Sequence, residues 1–131
     1  YSFFIINMKI TTQKFLTKLF QFQIQIKLYH WNTNSYSNHK ATDKLFKKLL
    51  EFIDCFIESY LGKFKQIQTP IPITFEKNIN ERNIISKVFQ PFLNFLKEWK
   101  EDFKKEDQEY IHLIEDLEIE VEKTKYLMRL K

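Results

Sequence analysis

Pro70 and Pro72, inside the stretch 67–80 (IQTPIPITFEKNIN), constrain this sequence more than any other feature. Each lacks a backbone N–H, fixes its own φ and pushes its predecessor away from helical geometry, so no helix passes through the middle of the stretch. On both sides lie long runs with helical spacing and little turn chemistry: one glycine and three prolines in 131 residues. Few connections imply a few long elements, which means helices and not many short strands. Roughly 14 extended residues reach about 45 Å, whereas a helix of about 28 residues is about 42 Å long. The stretch can therefore run back along a whole bundle. The helix after it then lies parallel to the helix before it, as in four-helix bundles with one long crossover between helices 2 and 3.

Thr11 or Thr12 caps a first helix over about 13–33. Within it, Phe22-Gln23-Ile24-Gln25-Ile26-Lys27-Leu28 alternates apolar and polar residues, as a half-buried strand does. Phe15, Leu16, Leu19 and Phe20 keep helical spacing, however, and no glycine or proline intervenes before Trp31. The reading is helix. Being apolar on most sides, it needs cover on most sides, from its own bundle or from another subunit. After the polar break 32–38 (NTNSYSN), Ser37 or Asn38 starts a second helix that runs to about 66, with Leu45, Leu49, Phe52, Ile53, Phe56 and Tyr60 on one face. Asn80 caps a third helix over about 81–104, kinked at Pro91. A fourth covers about 106–130. The expected class is all-α, one domain over residues 1–131.

The apolar run in residues 1–8 (YSFFIINM) is too short for a membrane span and lacks the basic start of a signal peptide. Residues 1–10 read as a disordered or non-native N-terminus. The net charge of +4 comes from 21 basic and 17 acidic residues mixed along the chain, unlike the basic block of a nucleic-acid tail. Cys55 stands alone, which excludes an intramolecular disulfide and favours an intracellular, reducing setting. No glycine-rich phosphate loop, nucleophile elbow or paired-cysteine zinc motif is present.

The informative stretch is 28–63. His39 and Asp43 are four apart, Asp54 and Glu58 are four apart, and His30-Trp31 lies just upstream. Side chains at i and i+4 stack on one helix face, so each pair is a potential two-tooth chelate. On a helical wheel the four fall within about 100 degrees, among Leu50, Ile57 and Leu61. Lys40 and Lys47 fall near the Glu58 end of that row. Imidazole and carboxylate together suit iron, zinc or manganese. The centres of the two pairs are roughly 22 Å apart along the helix, so one metal cannot touch both pairs of one chain. Two copies packed antiparallel across a twofold axis would set the first pair of one against the second pair of the other. His30 could then complete each site.

Taken singly, Asp43, Asp54 and Glu58 are ordinary solvated helix carboxylates; the joint spacing carries the argument. Glu109-x-x-His112 is half of an intrasubunit di-iron motif without its second copy. Glu115, Asp116, Glu118, Glu120 and Glu122 read as a solvated face, and Cys55 as packing or surface.

His30-Trp31-Asn32, His39-x3-Asp43, a step of eleven, and Asp54-x3-Glu58 resemble the Dps proteins, the miniature ferritins. The resemblance implies a ferritin-like four-helix bundle and a homo-oligomer, up to a dodecamer, built on a twofold dimer. It implies oxidation of Fe(II) by peroxide or O2 and storage of ferric iron. His30, His39 and Asp43 would come from one subunit and Asp54 and Glu58 from its neighbour, with Trp31 beside the site to intercept oxidising equivalents. The sequence is also similar to uncharacterised Dps-like proteins of giant viruses, including the closing Tyr126-Leu127-Met128. The loop between His30 and His39 is shorter than in Dps, and no lysine-rich arm of the DNA-binding kind is present. The alternative expectation is a non-catalytic bundle that scaffolds an assembly or packages DNA.

Overall fold

The computed structural model describes residues 10–63 and 70–130. The expectations for the first nine residues and for the end of the second helix beyond residue 63 lie outside them. Among the described residues the protein is all-α, with four helices packed together, a long loop between the second and third, and no sheet. α1 is Thr12–Asn32, α2 is Tyr36–Lys63 and α4 is Gln108–Arg129. α3 is a π-helical turn, Ile85–Phe89, that leads directly into an α-helix, Gln90–Glu101.

Helix ends follow from local chemistry. Thr11 is the N-cap of α1 and its hydroxyl accepts the Lys14 N–H. Asn80 caps the turn over 81–84 that leads into α3: its side-chain oxygen accepts the Arg82 N–H at 2.9 Å and its carbonyl accepts the Ile84 N–H at 3.0 Å. Asn78, just before it, has φ 60, a left-handed conformation that asparagine tolerates better than most residues. The kink expected at Pro91 takes the form of the π-turn. A proline ring clashes with the carbonyl four residues back and supplies no N–H. Here the Gln90 N–H reaches the Ile85 carbonyl, five residues back, and the widened turn accommodates the ring one residue later.

Contacts at the helix ends give the directions. The start of α1 meets the end of α2 (Thr12 Oγ1 donates to Tyr60 OH, 3.3 Å) and the end of α3 (Ile10 N–H donates to Asp102, 2.6 Å). The end of α2 meets the start of α4 through Lys63 and Asp107. Within α3 and α4, Lys100 pairs with Glu118 at 2.6 Å and Lys125 reaches Gln90 at 3.4 Å. α1 packs on α2 and α3, and α4 packs on α2 and α3, each pair antiparallel. α2 and α3 are parallel and lie across the diagonal, as the length of the crossover requires.

Over residues 70–80, the described part of the crossover, no helix or sheet satisfies the backbone. A row of glutamines on α1 does so instead. Gln13 donates to the Pro70 carbonyl and Gln21 to the Thr74 carbonyl. Gln25 pairs both ways with Glu76, its amide donating to the carbonyl at 3.2 Å and its oxygen accepting the N–H at 3.1 Å. A glutamine amide carries both donors and an acceptor and so can mimic a neighbouring strand. Of the polar residues that alternate over 22–28, Gln25 serves the crossover and Lys27 faces Asp43.

The core runs the length of the bundle and is aromatic at the α1 N-terminal end. Trp99 is fully buried, stacked on Phe15 with centroids 4.7 Å apart and tilted against Phe56 at 4.6 Å. Phe103 and Tyr110 close this end, stacked at 5.4 Å. Each such ring pair adds about 0.5–1.5 kcal/mol to what burial alone supplies.

Gln25→Ala should lower stability in urea unfolding by about 1–2 kcal/mol, because two backbone groups of Glu76 lose their partners. Lys63→Met should remove about 1–3 kcal/mol. Asp107 is only 2% exposed, and the substitution takes away its cation.

Candidate metal site

The short turn between α1 and α2 brings His30, in the last turn of α1, face to face with His39, in the first turns of α2. Their rings stack with centroids 3.8 Å apart and planes 17° from parallel. Each Nδ1 lies against the other residue's backbone carbonyl, His30 on His39 at 2.7 Å and His39 on His30 at 2.9 Å. A carbonyl only accepts, so both Nδ1 atoms carry a proton, and in the neutral rings the lone pair is on Nε2. That is the arrangement a metal-binding histidine uses, with its distal N–H tied to a backbone carbonyl.

The surrounding polar groups hold this geometry. Thr42 Oγ1 sits 3.4 Å from His30 Nδ1 and donates to the Asn38 carbonyl at 2.7 Å. Asn38 Nδ2 donates to Tyr29 OH at 2.9 Å, while its Oδ1 is buried with no hydrogen-bond partner among the described residues. Glu81, at the start of α3, accepts from the Thr33 hydroxyl and from the Asn34 N–H. Those bonds, with the Thr33 hydroxyl first, hold its carboxyl below the usual glutamate value.

Asp43, one turn beyond His39, is already engaged. Lys47 lies 3.2 Å from its carboxylate and Lys27 lies 3.9 Å from it. Lys27 comes from α1 and is held over the rings of Phe46, at 4.7 Å, and Trp31, at 5.5 Å. The hydrogen bond from Lys47 is the largest influence lowering the Asp43 carboxyl below the usual aspartate value; charge on Lys47, His30 and Lys27 adds to it, and burial opposes it. Asp54 and Glu58 are exposed farther along α2, and neither forms an ion pair among the described residues. Asp54 stands about 16 Å from Asp43 along the helix axis.

The structure thus stacks His30 on His39, with Asp43 one helical turn beyond His39, and leaves Asp54 and Glu58 farther along α2. Among the described residues, no three His, Cys, Asp or Glu side chains are grouped closely enough to hold a metal ion. The chemistry nevertheless fits in part: two imidazole lone pairs, one carboxylate held by ammonium groups, and two carboxylates without a cation. Sequence reasoning missed Lys27. Its signal was present, three residues before His30 and thus on the same side of α1. Lys47 belongs to Asp43, not to the Glu58 end of the row, and Lys40 lies over the Tyr36 ring at 5.7 Å.

Trp31 is 66% exposed, beside the site and outside the core. It continues a row of exposed apolar residues on α1, Ile24 and Leu28, and Leu50 is exposed on the neighbouring helix α2. Cys55 is exposed. The Glu109-x-x-His112 half-motif does not assemble: Glu109 lies near Lys63, at 3.9 Å, and His112 beside Gln108, at 3.3 Å. On the acidic face of α4, Glu115 and Glu118 pair with Lys100, and Glu120 and Glu122 with Lys123 and Lys125. No helix among the described residues is long and apolar enough to cross a membrane.

The Asp43 contacts set a pH dependence. A carboxyl with a lowered folded pKa adds stability above its unfolded pKa and loses it as pH falls through the folded value. The Asp43–Lys47 contribution should therefore be present from neutral pH down to the usual aspartate range and vanish below it. A carboxyl-carbon NMR titration should place the Asp43 midpoint below that of a free aspartate, and Lys47→Met should move it back up.

No curated protein and no solved structure matches the chain. A family model described as a family of unknown function, DUF5856, matches residues 30–128, about three quarters of the sequence. The match begins at His30 and takes in the stacked histidines, the whole of α2 and nearly all of α4. The chain belongs to the DUF5856 family.

Proposed function

We propose that this protein is a Dps-like, ferritin-like iron-binding protein that oxidises Fe(II), with peroxide or O2, at sites shared by two twofold-related subunits, and that it stores the ferric product. The observation that carries the proposal is the stacked His30–His39 pair, whose neutral tautomers put a lone pair on each Nε2 atom. The all-antiparallel neighbours and single long crossover support the ferritin-like reading.

The outward face of α1 and α2 supports the dimer. An antiparallel pairing of α2 with its copy that sets Asp43 opposite Asp54 also sets His39 opposite Glu58. Its axis then falls level with Lys48 and Leu49, flanked by Phe46 and the exposed Leu50. Apolar contact at the centre and polar groups on both sides is the layout of a stable isologous interface. Ile24, Leu28 and Trp31 of α1 would extend the apolar centre.

In this reading the carboxylates of Asp54 and Glu58 approach His30, His39 and Asp43 of the other subunit and complete an oxygen- and nitrogen-rich site. Such a site favours Fe(III) over Fe(II), which drives the oxidation. With peroxide, two Fe(II) give one electron each, the O–O bond breaks, and two protons are taken up to release two waters.

One observation favours a second reading, a non-catalytic structural dimer. Lys27 and Lys47 already stand at Asp43, and the Asp54 and Glu58 of a second subunit could pair with these ammonium groups instead of a metal. The assembly would then be scaffold-like, with DNA packaging as its nearest functional class.

Anaerobic Fe(II) titration followed by peroxide separates the two. Iron oxidation should saturate with Fe(II), and Asp54→Ala/Glu58→Ala should slow it at least about tenfold, in line with the loss of metal-site groups. Mixing that variant with His39→Ala/Asp43→Ala should restore roughly a quarter of the wild-type sites, since each mixed dimer regains one of its two. Equal oxidation by wild type and both variants, or a monomer by sedimentation at all concentrations, would sink the enzymatic reading.

A further inference from the structure

On the far side of α1 from α2, the crossover and the π-turn of α3 border a half-open cavity of about 130 Å3. Its floor is apolar, formed by Phe22, Val88 and Phe92, all buried, with the two phenyl rings stacked at 3.8 Å and 6° from parallel. Pro91 forms part of the wall. The π-turn and the proline explain why space remains here. An inserted residue widens the helix, and the proline ring is smaller than the long side chains that fill neighbouring grooves. π-turns are frequently found at functional sites.

The polar lining is asymmetric. Lys18 and Lys87 both line the cavity, and neither forms an ion pair among the described residues. Glu76 is the one carboxylate among the lining residues, and it too forms no ion pair there. The charge balance is therefore one positive, over an apolar floor. Gln21 and Gln25 are held by the crossover backbone and so keep the roof fixed. A half-open slot with an apolar floor and a net positive lining suits a flat apolar body with one negative end.

We propose that this cavity binds a small amphipathic monocarboxylate, its apolar body on the Phe22–Phe92 floor and its carboxylate between Lys18 and Lys87. One water-sized position needs about 10–15 Å3, so the cavity accepts on the order of ten non-hydrogen atoms. That size admits an arylalkanoate or a short fatty acid and is too small for a nucleotide. The site is independent of the α2 face and does not rest on iron chemistry.

3-Phenylpropionate is the probe, followed by 1H–15N NMR on the full chain. Saturable shifts should appear at the Gln21 and Gln25 side-chain amides and at Val88, with a dissociation constant of about a millimolar or tighter. Lys18→Gln/Lys87→Gln, two changes at non-core positions, should weaken binding at least about fivefold, and 3-phenylpropanamide should bind correspondingly worse than the acid. Shifts that fail to saturate, or that scatter over the surface, would overturn the site. Equal affinity for acid and amide, or no effect of the double variant, would overturn the carboxylate assignment.

Discussion

The fold depends on a side-chain ladder. An extended crossover running along a helical bundle exposes backbone groups that no regular structure satisfies. Gln13, Gln21 and Gln25 of α1 supply the missing partners to Pro70, Thr74 and Glu76. With the crossover fastened along α1, α3 must start at the same end of the bundle as α2. Every neighbouring helix pair then becomes antiparallel, which sets opposite ends of the helix dipoles side by side. The ladder also divides α1 into three strips. Phe15, Leu19, Phe22 and Ile26 face the core, the glutamines face the crossover, and Ile24, Leu28 and Trp31 are left facing outward. An apolar strip of that kind is what a partner would cover.

The histidine pair shows how a tight turn builds chemistry. Only a few residues separate α1 from α2, so His30 and His39 face each other across the hairpin and exchange Nδ1–H bonds with each other's carbonyls. These bonds help close the hairpin and at the same time direct both Nε2 lone pairs away from the backbone. Asp43 beside them is satisfied by Lys27 and Lys47. Whether this corner takes a metal or remains an ion-pair cluster is a competition between a cation from solution and two tethered ammonium groups. Exposed ion pairs of this kind are weak enough to be displaced. In the proposed dimer, Asp54 and Glu58, exposed on the same helix and remote from the corner in one chain, would weigh on the other side of that balance.

Much of this was legible in the residues. The caps at Thr11 and Asn80, the core positions of α2 and the length of the crossover follow from local chemistry and reach. Two features needed more than local chemistry. The alternation over 22–28 is strand-like, but the helical spacing before it and the lack of glycine or proline make it helix, and within it Gln25 serves the extended crossover. Pro91 signalled a disturbance but not its form; whether a helix kinks or widens is decided by which carbonyl the next free N–H can reach. The place of Lys27 at Asp43 depends on how α1 packs on α2, which spacing along either helix does not fix.

By itself the sequence determined the class, the four helices and the parallel relation of α2 to α3, and it supplied the candidate ligands of the proposed site. These depend on spacing along the chain, on proline geometry and on reach, all local quantities. The tertiary structure decided which of those residues meet. It stacked His30 on His39, gave Asp43 two lysines, left Asp54 and Glu58 open, and formed a half-open cavity between α1, the crossover and the π-turn. Such pairings join residues on different elements, so they are set by how helices pack and not by the order in which their residues occur.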